Sequence, residues 1–389
     1  MRVLHLINQA SPQASAPTMN LVATAMEKVP AAHQLLLLGG APLSDAVTAA
    51  QVTDFQTMGI PGGHALAAIP RLRHWLTDNP RPDLIHCWSV GTLLLSSLMF
   101  RNTPRLLTLT VMPSKREIHL LRMLAAEAGD KLGIVAITSG IARALLTMGV
   151  RPESVDVLRP GIDMGLVKTS DRDALRERWE LAGDEPFVVM LLSDPPTQAD
   201  ASEASLMLGL TNVSLNHPNR PVHLLIHPDQ KNRLAALNPM RPLNSEHLII
   251  SDARVAVPWQ VLPGCDAVIA MQDGGAGLSI PWAMAANVPI IGHATAEICE
   301  WVEDHHSALL VAPGQPALRH LAGKLQTVLT DPQQTYKLRD TARHEAFSFY
   351  SRTRFGSDLK TVYEQLLAAQ QLNVPDMPST GGLRFTGRG

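Results

Sequence analysis

Three glycines, Gly274, Gly275 and Gly277, stand just ahead of an apolar segment that reads as a helix. Glycine lets a backbone come close to a bound group, and the start of a helix offers free N–H groups to an anion. A nucleotide diphosphate is the kind of anion such a loop would hold. The packing alternative is a tight strand-to-helix turn that uses glycine only for close approach. His86 and Trp88 end the apolar strand that starts at Asp83, at the carboxyl edge where open α/β sheets bind ligands. A lone histidine there reads equally as a hydrogen-bonded member of the wall. Asp163 follows Gly161 and Ile162 in a turn that its side chain can cap. Glu300 and Glu303 read as solvated residues of a helix, and the pair His305-His306 lacks companion ligands for a metal.

These residues need strands to carry them. The stretch Gln272 to Val311 reads as a loop, a helix, a strand, a second helix and a return to another strand. Before it, apolar runs at Val3–Ile7, Gln34–Leu38, Asp83–Trp88, Leu106–Val111 and Gly133–Thr138 alternate with helical segments such as Met19–Lys28, with Thr18 as its cap, and Ile141–Met148, with Ser139 as its cap. The polar stretch up to Ile60 reads as a loop-rich connection. A second alternation starts at Phe187 and runs through Val222–Ile226, Leu248–Ile250, Ala267–Ala270, Val288–Ile291 and Leu309–Val311. Strands alternating with helices predict parallel, doubly wound sheets. Residues 1–164 are expected to form a first Rossmann-like domain and 165–345 a second. Residues 346–370 read as a closing helix that packs back on the first domain, and 371–389 as a mobile tail.

Composition agrees with two globular units. The chain has 389 residues, 46% hydrophobic and 17% charged, too many for one ordinary core and too apolar for disorder. A net charge of -2 and a pI near 6.7 give no footprint for nucleic acid. Cys87, Cys265 and Cys299 are odd in number and widely spaced, so they read as buried thiols in a reducing compartment rather than a disulfide framework or zinc site. The start, Met1 to Ile7, reads as a first strand rather than a signal peptide, and no apolar run approaches the roughly 18 residues that span a bilayer. A cytoplasmic protein is expected, with peripheral membrane contact left open. There is no Gly-x-Gly-x-x-Gly after the first strand, no P-loop, no Gly-x-Ser-x-Gly elbow and no His-Glu-x-x-His.

Taken together the motifs resemble those of the family 4 glycosyltransferases. The resemblance rests on Pro82-Asp83-Leu84-Ile85-His86, Ala136-Ile137-Thr138-Ser139, Gly161-Ile162-Asp163, the run from Gly275 through Leu278 to Ile291, and Glu300 to Asp304 followed by Ala308 to Val311. It implies a GT-B-like fold, two doubly wound Rossmann-like domains facing a central cleft. It implies transfer of a hexose, with retention, from a nucleotide-sugar donor to a glycan or small-molecule acceptor. On that reading Gly274, Gly275, Gly277, Leu278 and Glu300 lie at the donor, while His86 and Asp163 lie at the reacting groups. No metal or separate cofactor is implied.

The chain departs from the family pattern at the chemistry. Where the family carries a pair of glutamates around the glycine loop, this chain has Gly274 and Trp282. The basic pair that the family aims at the donor diphosphate is replaced by Ser193 to Asp200, which has two acids and no base. Lys231 and Arg233, beyond the next strand, are the nearest substitutes by position. A helix N-terminus contributes about 0.3–1 kcal/mol to an anion, up to about 2, whereas enzymatic acceleration starts near 8 kcal/mol. The glycine loop therefore accounts for docking and not for transfer. The alternative reading is a degenerate member that keeps the fold as a binding or scaffolding partner of another protein.

Overall fold

The computed structural model describes residues 1–8, 16–39, 55–60, 64–167, 172–179, 181, 186–192, 201–226, 248–252, 258–271, 277–312 and 317–372. The first half runs β1 (Arg2–Ile7), α1 (Ala16–Lys28), β2 (Ala32–Gly39), β3 (Gln56–Ile60), α2 (Ile69–Asp78), β4 (Leu84–Cys87), α3 (Val90–Met99), β5 (Arg105–Leu109), α4 (Lys115–Ala128), β6 (Leu132–Ala136), α5 (Ser139–Thr147) and β7 (Val155–Val157). The second runs α6 (Arg172–Arg178), β8 (Phe187–Leu191), α7 (Ala201–Asn216), β9 (Val222–Ile226), β10 (Leu248–Asp252), α8 (Pro258–Val261), β11 (Ala267–Ala270), α9 (Ser279–Ala285), β12 (Ile290–His293), β13 (Leu309–Val311), α10 (Ala317–Thr330), α11 (Pro332–Phe349) and α12 (Arg352–Leu372).

Among the described residues every strand pairing is parallel. The first sheet has the order β3-β2-β1-β4-β5-β6-β7 and the second β10-β9-β8-β11-β12-β13. The inner strands β4, β5 and β6 are buried at every residue, as strands covered on both faces must be, and their continuous apolar runs made them readable. The edge strand β3 buries only Met58 and Ile60. With so little apolar alternation it looked like a loop in the sequence, and the structure corrects that reading.

Local capping explains where helices start. Ser89 and Thr92 form a reciprocal box at α3, and Ser114 and Glu117 form one at α4, each tying up N–H groups that a helix start leaves open. At α5 the cap is Thr138, whose hydroxyl accepts from Ile141 N at 3.2 Å, and not the expected Ser139. At α1 the helix begins at Ala16, so Thr18 lies inside it and is no cap. The expected helix between β12 and β13 is a single 3-10 turn, Ile298–Glu300.

Side chains alternate across the second sheet. Val188, Val268 and Ile290 join an apolar cluster that continues into the first sheet, while Phe187, Val189, Ile269 and Ile291 join a separate cluster beneath α7 and α10. Tyr350, Phe355 and Trp301 belong to the continuous cluster. Helix α12 lies on α1 and β6. At their crossing a side chain on Gly356 would collide with Lys28.

Candidate functional site

Histidines within the first sheet, His5 and His86 side by side in mid-sheet and His33 at the start of β2, are sealed by their own neighbours. His5 and His86 are fully buried. The indole of Trp88 has only a proton to give, and gives it to His5 Nδ1 at 3.2 Å. His5 Nε2 therefore carries the ring proton and donates to His33 Nδ1 at 2.9 Å, and His33 Nε2 donates to the Val29 carbonyl at 2.8 Å. With both rings neutral, every nitrogen is used. His86 stacks on Trp88 with ring centroids 4.2 Å apart. Its Nδ1 lies 2.6 Å from the Tyr363 hydroxyl of α12 and its Nε2 lies 2.7 Å from the Thr108 hydroxyl. Neither nitrogen is left for a ligand, which makes His86 a wall residue joined to the last helix. Burial holds His5 and His86 well below the ordinary histidine range, with neighbouring imidazoles adding to the effect, and burial also lowers His33.

Apart from this buried cluster, Glu300 reaches from the second half of the chain to the start of α5. Its Oε2 accepts from Ser139 N at 2.6 Å and from Ser139 Oγ at 2.7 Å, and its Oε1 accepts from Gly140 N at 2.5 Å. The carboxylate thus sits on the positive end of a nine-residue helix. A Cβ on residue 140 would stand 2.8 Å from Oε1, so the approach requires glycine. Because Ser139 follows the carboxyl end of β6 and Glu300 follows that of β12, this contact brings the carboxyl edges of the two sheets face to face. The solvated-helix reading of Glu300 is therefore corrected: it is half-buried and bound.

Asp163 caps its turn through Gly165 N at 2.9 Å and also meets Arg352 Nη1 at 2.5 Å. Arg352 in turn meets Glu27, and Ile162 N donates to the Tyr350 carbonyl at 2.8 Å. The connection between the halves is thus fastened to the start of α12. Leu278 is buried at the start of α9 and supplies no side-chain cap. A Cβ on Gly277 would lie 3.0 Å from Glu297 Oε1, so a second carboxylate stands beside the end of the glycine loop. Gly274, Gly275, Lys231 and Arg233 lie outside the described residues. Trp282 is buried and packs on Trp259 with ring centroids 4.3 Å apart.

The described part of the cleft presents the carboxylates of Glu297 and Glu300. Such groups accept the hydroxyls of a sugar and repel a phosphate placed against them. Glu297, Gly140, Tyr363 and Arg352 were not singled out by the sequence, and Ser139 was singled out only as a helix cap and motif residue, not as a partner of Glu300. The available signal was the spacing of Glu297 and Glu300 just after a strand, opposite a Ser-Gly helix start. Of the thiols, Cys87 and Cys265 are buried and Cys299 is exposed, which corrects the expectation for the third. Burial pushes Cys87 up to about 12 and Cys265 further, so neither is a nucleophile. Among the described residues no cluster could hold a metal ion, and no helix is long and apolar enough to cross a membrane.

Solved structures share this fold along nearly the whole chain. HepE of Anabaena in complex with UDP and glucose matches with a TM-score of 0.74 and 17% identity, over 94% of this chain and 99% of that one. Sucrose-phosphate synthase from Thermosynechococcus elongatus matches at 0.71 and 15%, over 95% and 100%. WaaG, a glycosyltransferase involved in lipopolysaccharide biosynthesis, matches at 0.65 and 15%, over 92% and 99%. No family model and no curated protein matches the sequence. The structural neighbours are GT-B glycosyltransferases, and the fold is the α/β GT-B arrangement of two parallel sheets flanked by helices.

Proposed function

We propose that the chain binds a nucleotide sugar between its two sheets and transfers the hexose to an acceptor held against the first. The observation that carries this reading is the match, over nearly the full length of both chains, to a structure that holds UDP-glucose. The facing carboxyl edges, joined by Glu300 and the start of α5, support it, because open α/β sheets take ligands there. Glu297 would meet sugar hydroxyls, Glu300 would hold the start of α5 in place beside them, and the glycine loop would take the diphosphate.

A second reading is favoured by one specific observation. Trp282, at the position where the resemblance calls for a carboxylate, is an indole inside the core against Trp259. A chain without that charge would keep the donor pocket and lose the chemistry, acting as a binding or scaffolding partner. Calorimetry with UDP and UDP-glucose, followed by an assay for UDP release with and without a glycan acceptor, separates the two. Binding with release supports transfer, binding without release supports the second reading, and no heat with either nucleotide removes the first.

A further inference from the structure

A cavity of about 400 Å³ opens at the opposite, amino edge of the second sheet, between Phe187 at the start of β8, Val288 and Pro289 before β12, and α11. Four of its lining residues are arginines, Arg172, Arg220, Arg339 and Arg343, against one carboxylate, Asp266. That carboxylate is already engaged, by Arg172 at 2.6 Å, by Arg176 at 2.6 Å and by Val188 N at 2.8 Å. Among the described residues Arg220, Arg339 and Arg343 make no ion pair. Instead each lies over a ring: Arg220 over Phe187 at 5.7 Å, Arg339 over Tyr336 at 5.4 Å and Arg343 over Phe347 at 5.6 Å. Stacking fixes the plane of a guanidinium and leaves its N–H edge free.

Buried polar atoms point the same way. Arg220 Nε, Arg339 Nε, Thr335 Oγ1 and Asn287 Oδ1 are enclosed and have no hydrogen-bond partner among the described residues. Buried groups of this kind are ordinarily satisfied, and four in one cavity need a common explanation. Thr335, Arg339 and Arg343 recur at i, i+4 and i+8 on α11, so they share one face. Like charges one helical turn apart repel, and a bound anion removes the repulsion. The remaining walls, Pro263, Val288, Pro289 and Pro332, are apolar and suit the face of a ring.

We infer that this cavity is a binding site for a phosphorylated small molecule, a phosphate monoester carried on a sugar-sized ring. Arg220, Arg339 and Arg343 take the phosphate, Thr335 donates to it, and Asn287 accepts from a ring hydroxyl. The site is separate from the cleft: Gly277 leads into α9 on the cleft side, and Asn287 leaves that helix on the cavity side.

The test is calorimetry on the full chain with glucose 6-phosphate, inorganic phosphate and glucose as probes, together with hydrogen exchange on the unsubstituted protein. Saturable binding of glucose 6-phosphate, weaker binding of phosphate and none of glucose is the expected order. Arg339→Gln with Arg343→Gln should weaken the sugar phosphate by at least about tenfold, the usual scale for losing charge-assisted bonds. The bound probe should also protect amides of residues 332–343. No heat with either phosphate probe, binding that survives the double substitution, or protection confined to the cleft would each overturn the inference. The exchange experiment needs no variant, so poor folding of the double substitution leaves the test intact.

Discussion

The two edges of the second sheet have opposite character. At the carboxyl edge, where open α/β sheets take ligands, Glu300 is bound by Ser139 and Gly140, and in the body of the first sheet His86 is bound by Tyr363 and Thr108. At the amino edge, among the described residues, Arg220, Arg339 and Arg343 line a cavity without an ion pair, and Thr335 Oγ1 there has no hydrogen-bond partner. The fold dictates where a ligand pocket can form, but charge left uncompensated is a separate property and here it lies on the other side. One edge is organised by internal bonds and the other is prepared for something external.

The strongest way to break this comparison is to ask whether the amino-edge arginines are structural after all. Asp266→Asn should cost about 3–5 kcal/mol, because it strands the buried Arg176 guanidinium. Arg343→Gln should stay within about 0.5 kcal/mol, as a side chain with no ion pair to lose. Urea midpoints at constant slope measure both. Comparable losses from the two substitutions would mean that the cavity charges hold the fold together.

Inside the first sheet, Tyr363→Phe removes the partner that a buried imidazole nitrogen has among the described residues and should cost about 1–3 kcal/mol. An unchanged urea midpoint would show that the wall is less sealed than its geometry implies. The same histidines set a pH dependence. His5, His86 and His33 are held below their ordinary value, so the unfolded chain binds protons more readily than the folded one. Stability is thus full above about pH 6.5 and falls as the pH drops below it. Thermal melts across that range should show the decline, and a flat profile would contradict neutral burial of the cluster.

Much of the fold was legible because parallel inner strands advertise themselves as apolar runs, as in Leu84 to Cys87 and Ala267 to Ala270. The edge strand β3 was not, since only Met58 and Ile60 turn inward. Of the candidate site, Gly274 and Gly275 lie outside the described residues, and Glu300 could be picked out as a position but not for what it binds. Its partners are 161 and 160 residues away, and those of His86 include Tyr363 at a separation of 277. Local pattern carries capping boxes such as Ser114 with Glu117; it carries nothing about a carboxylate that caps a helix in the other half of the chain.

That distant cap gives the mildest and most specific prediction. Glu300→Gln keeps the shape of the side chain and removes its charge, so the start of α5 loses a carboxylate of the kind that contributes about 0.5–2 kcal/mol at a helix N-terminus. Little of this should appear in global unfolding, because the apolar cluster that runs between the two sheets survives the change. The loss should appear as motion of one half against the other, read as a broader distance distribution between spin labels placed on α5 and α10. Gly140→Ala should widen it in the same way, since the added methyl lies 2.8 Å from Glu300 Oε1. If neither substitution changes the distribution, the two halves are held by packing alone, and the carboxyl edge owes its closed state to apolar contact rather than to this bond.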